Sequence, residues 1–309
     1  MKTLIVGTGG VGGYFGGRLA VAGHDVTFIA RGAHKEAIEK KGLQVKSING
    51  DFSVEQVKVT DKISEVETPE LVIIAVKAWQ VKDIARQLKP IIDEKTMVLP
   101  LQNGVLASDE IKEFLPAKNV LSGLCRIISK IDAPGKINHL AVDPTIVFGE
   151  CDSSQTQRVL NLQKIFEEAG FKARVSKDIQ ADLWRKFLAI CVSGLLGVTR
   201  STYGEVREQK ETRQMMRNLF EEIAMLAKAL KINLEPDLVD KTIAFIDTFP
   251  YNSTSSLTRD VWEGKPSELE YQNGTVVKLA EKAGVDVPVN RFVYYSLLLM
   301  EKRARKKTN

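Results

Sequence analysis

The chain has 309 residues, 44% hydrophobic and 27% charged, with 22 Gly, 10 Pro and a formal net charge of +5. This make-up excludes disordered, collagen-like and coiled-coil chains, and no apolar run reaches the roughly 18–20 residues of a membrane span. Cys125, Cys151 and Cys191 form neither a metal spacing nor a disulfide framework, so no metal site is expected and a reducing cytoplasm is.

The apolar start at residues 1–7 breaks into glycines without a cleavage-like segment, so it reads as a strand rather than a signal peptide. At roughly 150 residues per domain, two domains are expected. Residues 3–6 read as a short strand and 11–22 as a helix, with further strands over 25–30, 71–76 (LVIIAV) and 96–101. Continuous apolar runs suit strands of a parallel sheet covered on both faces. Strand–helix–strand repetition predicts a doubly wound α/β domain, with additional strands in 43–59 and 136–149. From about residue 178 the pattern changes to helical periodicity over 182–198, 211–229, 236–248, 267–283 and 288–305. Pro236 and Pro288 sit near helix starts, where proline is tolerated. The expectation is an α/β domain over 1–177 and an all-helical domain over 178–309, sharing a firm interface and a ligand cleft. Lys302, Arg303, Arg305, Lys306 and Lys307 read as a solvated helix end. The overall charge is too mild to call for a nucleic-acid partner.

Gly7-Thr8-Gly9-Gly10-Val11-Gly12 fits G-x-G-x-x-G and follows the first strand directly into a helix, the context that gives the pattern meaning. Gly7 allows the tight turn, Gly9 lets the backbone approach a pyrophosphate, and Gly12 allows close packing of helix on strand. NAD-binding versions place a carboxylate roughly 20 residues onward. Here Arg31 follows the second strand instead, and a guanidinium can bind a 2′-phosphate bidentately. NADPH is therefore the expected cofactor. Lys77 and Gln80 after LVIIAV, and Gln102, Asn103 and Gly104 after the next strand, fall at strand ends where ligands bind.

Lys186 is a cation amid large apolar residues in LWRKFLAI. It reads either as a snorkelling ammonium paired with Asp182 at i−4, or as a partly desolvated acid facing a cleft. GTGGVGGYFGGRLA, AVKAWQ, LQNGV, LWRKFLAI and SSLTRDVWEGKPSELEYQNG together resemble the ketopantoate reductase (2-dehydropantoate 2-reductase) family, in order and over nearly the whole chain. Ser256 stands twelve residues before Glu268, as in the family's serine-to-glutamate segment.

The resemblance implies a Rossmann-type domain followed by a helical domain, and NADPH-dependent reduction of a 2-oxo acid in pantothenate biosynthesis. By motif, Lys186 matches the catalytic lysine, Glu268 the active-site glutamate, Ser256 a substrate-binding serine and Asn103 the cleft asparagine. Arg31 and Lys77 match cofactor-binding positions, and Asn103 and Glu268 are expected to reach cofactor as well. Hydride arriving at a ketone carbon leaves charge on oxygen, which an ammonium can stabilise and protonate.

Members dedicated to ketopantoate usually carry asparagines four and eight residues after the lysine, whereas this chain has Ile190 and Gly194. That substitution favours a pocket with more apolar surface, and Thr199, Arg200, Ser201 and Thr202 could supply polar contacts or simply cap helices. The alternatives are a reductase of another branched or aromatic 2-oxo acid, and a non-catalytic NADPH-binding redox sensor. The apolar stretch 292–300 reads either as a homodimer face or as core.

Overall fold

A computed structural model describes residues 1–308. The chain divides into two compact units, residues 1–102 with 106–179, and 103–105 with 180–309. The first contains β1 (Lys2–Val6), α1 (Gly10–Val21), β2 (Asp25–Ile29), α2 (Gly32–Lys41), β3 (Leu43–Ser47), β4 (Phe52–Val54) and β5 (Lys58–Thr60). It continues with β6 (Leu71–Ile74), α3 (Val81–Leu88), β7 (Met97–Pro100), α4 (Ala107–Lys112), β8 (Leu121–Ala133), β9 (Lys136–Glu150), α5 (Gln157–Glu168) and β10 (Lys172–Val175).

Five strands form a parallel sheet in the order β5-β2-β1-β6-β7. Side chains alternate across a strand, and here both faces are buried. Ile5, Phe28, Ile73 and Leu99 enter one core, whereas Leu4, Val6, Val72, Ile74 and Val98 enter another with Val81, Ile84 and Leu88 of α3. This is the physical reason that LVIIAV carries no polar alternation.

A second sheet, β10-β9-β3-β4 with β8 paired to β9, lies over α1. Its presence explains the glycines of GVGGYFGG. A Cβ on Gly16 would come within 2.6 Å of Ile5 and 2.7 Å of Phe28 in the first sheet. One on Gly13 would meet Ile137 at 2.8 Å, and one on Gly17 would meet Phe52 at 2.9 Å, both in the second. The helix is thin because it is pressed from two sides.

The expected strand region 43–59 divides between the sheets. β3 and β4 pair antiparallel in the second sheet, and β5 joins β2 in the first. The strands β8 and β10 and the helix α5 had no counterpart in the sequence reading.

The second unit is helical. It comprises α6 (Ile179–Ile190), α7 (Val192–Thr199), α8 (Tyr203–Glu208), α9 (Lys210–Ala229) and α10 (Leu238–Asp247), then α11 (Ser256–Trp262), α12 (Asn273–Ala283) and α13 (Pro288–Thr308). One core, including Phe187, Leu195, Phe220, Val276 and Val293, runs through it.

The single helix expected over 182–198 is broken at Cys191, whose carbonyl accepts from Gly194 N–H at 3.3 Å and from Asn273 Nδ2 at 3.1 Å. The helix expected over 267–283 begins only at Asn273. Before it, Ser267 N–H is bonded by Glu301, and a short turn spans Leu269–Tyr271. Arg305 also departs from its expected place in a solvated tail. It is half-buried and donates to Glu301 and to the Ser267 carbonyl. Among the described residues no helix is long and apolar enough to cross a membrane, and no cluster suits a metal ion.

Candidate active site

In the first unit, the glycine-rich segment leaves β1 at the point where the strand order reverses between β1 and β6. This is the topological switch point where α/β sheets bind ligands. Gly7 sits at φ +99°, and a Cβ there would meet the Val76 nitrogen at 2.8 Å, so only glycine suits both the torsion and the contact. Gly9 is different: nothing lies within 4 Å of the position its Cβ would occupy. The first bond inside α1 runs from Gly13 N–H to the Gly9 carbonyl at 2.8 Å. The N–H groups before it have no partner within the helix, the ordinary condition of a helix N-terminus. Open space, donors and the positive end of the helix dipole fit the pyrophosphate of a dinucleotide.

Thr8 is fastened on three sides. Its N–H and its hydroxyl both donate to the Ile29 carbonyl, at 3.2 and 2.9 Å, and its carbonyl accepts from His34 Nε2 at 2.8 Å. Arg31 follows at the end of β2 as the residue preceding α2. It is exposed, and among the described residues it pairs with no carboxylate. Lys77 is exposed after β6, with Nζ 5.8 Å from the Trp79 ring centre, and Gln80 is half-buried at the start of α3. Gln102 turns inward, donating to the carbonyls of Ile74 and Val76 at 2.9 and 3.0 Å, which closes the end of β6.

In the second unit, Gly104 at φ +105° presses the 103–105 segment against the turn that follows Glu268; a Cβ there would meet the Tyr271 carbonyl oxygen at 2.9 Å. This apposition brings Asn103 to Glu268, with Asn103 Nδ2 donating to Glu268 Oε2 at 3.1 Å. Glu268 is only 6% exposed. It immediately precedes the short turn Leu269–Tyr271. Lys186 is half-buried on α6, and its neighbour Asp182 accepts from Arg185 at 3.1 Å. Ser256 is the exposed first residue of α11; Ser255 is the one that caps the helix, accepting from Thr258 N–H at 3.0 Å. Asn103 and Glu268 are thus in contact, and Lys186 and Ser256 stand on two helices of the same unit.

Two long-range features are not legible in the sequence. Ser267, next to Glu268, is gripped by Glu301 of α13, which accepts from its N–H at 3.0 Å and its hydroxyl at 2.6 Å. The only sequence signal was Glu301 and Arg305 at i, i+4, which reads as a solvated pair. Gly194 is buried, and a side chain there would overlap Asn273 and come within 2.6 Å of Val293. Position 194 is therefore closed to a side chain by core packing. Finally, Thr202 caps α8 in a reciprocal arrangement with Glu205, while Thr199 and Ser201 bond to nearby carbonyls. Capping accounts for Thr202.

The family description "Ketopantoate reductase PanE/ApbA" matches residues 3–153, and its C-terminal counterpart matches 178–301. The chain is 31% identical to YkpB of Bacillus subtilis (strain 168), described as an uncharacterized oxidoreductase, over 97% of this chain and 99% of that one. It is 29% identical to a 2-dehydropantoate 2-reductase of Nostoc sp., over 98% and 96% of the two chains. A crystal structure of a PanE/ApbA family ketopantoate reductase from Ralstonia eutropha JMP134 superposes with a TM-score of 0.91. It shares 31% identity and covers 99% of this chain and 100% of that one. With both parts matched and the fold shared end to end, the chain is an oxidoreductase belonging to the ketopantoate reductase family.

Proposed function

We propose that the protein reduces a 2-oxo acid to the 2-hydroxy acid with NADPH, and that 2-dehydropantoate is the first candidate substrate. The observation that carries this reading is a nearly buried carboxylate, Glu268, held by the Asn103 amide in the unit that also bears the half-buried Lys186. Dinucleotide binding alone does not require the Lys186 ammonium, so its presence beside this pair in the sequence motif weighs against a non-catalytic sensor. The relatives named as 2-dehydropantoate 2-reductases supply the substrate candidate.

The first unit holds the dinucleotide through the α1 N-terminus, with Lys77 and Gln80 after β6 as further cofactor contacts. Arg31 supports NADPH over NADH, because a guanidinium complements a 2′-phosphate that a carboxylate would repel. When bound, this cofactor supplies the hydride for the carbonyl carbon. Lys186 hydrogen-bonds the carbonyl oxygen, stabilises the charge that develops there and gives it a proton. Glu268 orients the ammonium and, with Asn103, fixes the substrate's polar groups, while Ser256 offers its hydroxyl to the carboxylate.

Ile190, half-buried at the end of α6, favours branched hydrocarbon side chains beside ketopantoate. The exposed apolar residues Phe292, Tyr295 and Leu299, at i, i+3 and i+7 on α13, support a homodimer, to be checked by light scattering.

Steady-state oxidation of NADPH and NADH with a panel of 2-oxo acids tests the proposal. Turnover with NADPH and a branched 2-oxo acid is expected. Cofactor binding without turnover of any 2-oxo acid would instead favour the sensor.

A further inference from the structure

His34 lies in the first turn of α2, three residues after Arg31, and its two ring nitrogens have opposite roles. Nδ1 accepts the backbone N–H of Gly135 at 3.1 Å, so it carries no proton. Nε2 therefore carries the ring proton and donates it to the Thr8 carbonyl at 2.8 Å. Burial lowers the pKa of this imidazole, in agreement with a neutral ring.

The bond to Thr8 has a consequence one residue further on. A trans peptide is planar, and its C=O and N–H point in opposite directions. Fixing the Thr8 carbonyl toward His34 therefore fixes the Gly9 N–H away from it. Gly9 is the glycine with open space at its Cβ position. The other two polar groups of Thr8 are already committed to the Ile29 carbonyl, so His34 removes the remaining freedom of that peptide plane.

The partner on the other side of the ring is also fixed. Gly135 sits at φ +74° in the turn between β8 and β9, and its carbonyl accepts from Gln44 N–H at 3.0 Å. Strand β8 in turn lies on the glycine-rich segment, since a Cβ on Gly10 would overlap the backbone of Ser129.

We infer that His34 is a positioning residue of the dinucleotide site, aiming the Gly9 N–H at the cofactor pyrophosphate by holding the Thr8 carbonyl. The inference rests on the proposed dinucleotide reading of the first unit. It also separates two tasks on one helix end: Arg31 discriminates the 2′-phosphate, and His34 serves the pyrophosphate common to both cofactors.

The test uses two variants that each keep half of the imidazole. Gln places a donor near the Nε2 position and can still hold Thr8, whereas Asn places an acceptor near the Nδ1 position and can hold only Gly135. Dissociation constants for NADPH and NADH are measured by fluorescence titration on the whole protein, with melting temperatures recorded for each variant. His34→Asn and His34→Ala should weaken both cofactors by a similar factor, roughly five- to thirtyfold, the scale of a lost hydrogen bond and a loosened donor. His34→Gln should stay within about threefold of the unmodified protein. Should His34→Ala fail to fold, the contrast between Gln and Asn decides. Equal affinity in Gln and Asn variants, or a loss confined to NADPH, would overturn the inference while leaving the dinucleotide reading standing. Failure of the unmodified protein to bind either cofactor would overturn both.

Discussion

Asn103 and Glu268 stand 165 residues apart in the chain and are joined by one hydrogen bond of 3.1 Å. The bond exists because Gly104, at positive φ, lets the 103–105 segment lie against the Tyr271 carbonyl. A nearly buried carboxylate needs its donors, and a hydrogen bond to a charged group contributes about 1.5–3 kcal/mol. Asn103→Ala should therefore lower kcat/KM for the 2-oxo acid roughly ten- to a hundredfold, read by steady-state NADPH oxidation. An unchanged value would detach this amide from the chemistry.

Arg31 carries the cofactor prediction. NADPH should bind more tightly than NADH by about 1.5–3 kcal/mol if the 2′-phosphate contact is charge-assisted. Arg31→Ala should remove most of that difference while leaving NADH affinity nearly unchanged. Equal binding of the two cofactors to the unmodified protein, measured by titration, would contradict the assignment.

Much of this was legible in the residues, and the illegible parts share a cause. LVIIAV announces a strand buried on both faces because apolar runs are local. GTGGVGGYFGG announces a dinucleotide turn, but Gly13 and Gly17 beyond the motif make room for a second sheet that local patterns do not show. Strand β8 escaped notice because its pairing with β9 shifts register between Arg126 and Ile128, which spoils the alternation. The break at Cys191 comes from Asn273, distant in the chain, and no proline or glycine at that position marks it. The grip of Glu301 on Ser267 is long-range too, and the same pair of residue types at i, i+4 is usually solvated. Its place in the sequence shows His34 only as a basic neighbour of Arg31. Its role depends on Thr8 and Gly135, which lie 26 and 101 residues away.

The packing of Gly194 sets the terms for redesigning substrate choice. Adding a side chain there forces Asn273 and Val293 to move, and overpacking costs about 1–3 kcal/mol for even small additions. Gly194→Ala should lower the melting temperature measurably, and Gly194→Asn should do so more strongly. Ile190→Asn, at a half-buried helix end, should fold and shift kcat/KM toward ketopantoate relative to 2-oxoisovalerate. A Gly194→Asn variant as stable as the unmodified protein would show that the helical core yields at this point.

Glu150 and Arg158 supply a stability prediction with a defined pH sign. Burial pushes the Glu150 carboxyl up, but the hydrogen bonds of Arg158 and Thr156 outweigh it and hold the group below its ordinary value of 4.5. Arg158 donates to both carboxylate oxygens, at 2.7 and 2.5 Å. A depressed folded-state pKa stabilises the protein above the unfolded value, and that contribution is lost as pH falls through the folded one. Arg158→Ala should cost roughly 2–3 kcal/mol at neutral pH, less than a fully buried pair because the guanidinium is a third exposed. Melting curves across acidic pH should show a correspondingly smaller acid-induced loss in the variant. Parallel curves for the two proteins would mean that the pair contributes nothing to the slope.

The most direct test of the catalytic account is Lys186→Ala, assayed for kcat with the best 2-oxo acid and for NADPH affinity by titration. If Lys186 stabilises and protonates the developing alkoxide, kcat should fall roughly a hundredfold or more, the scale of acid catalysis, while NADPH affinity hardly moves. A folded variant retaining a third or more of the activity would contradict that role and leave Lys186 a structural cation of α6.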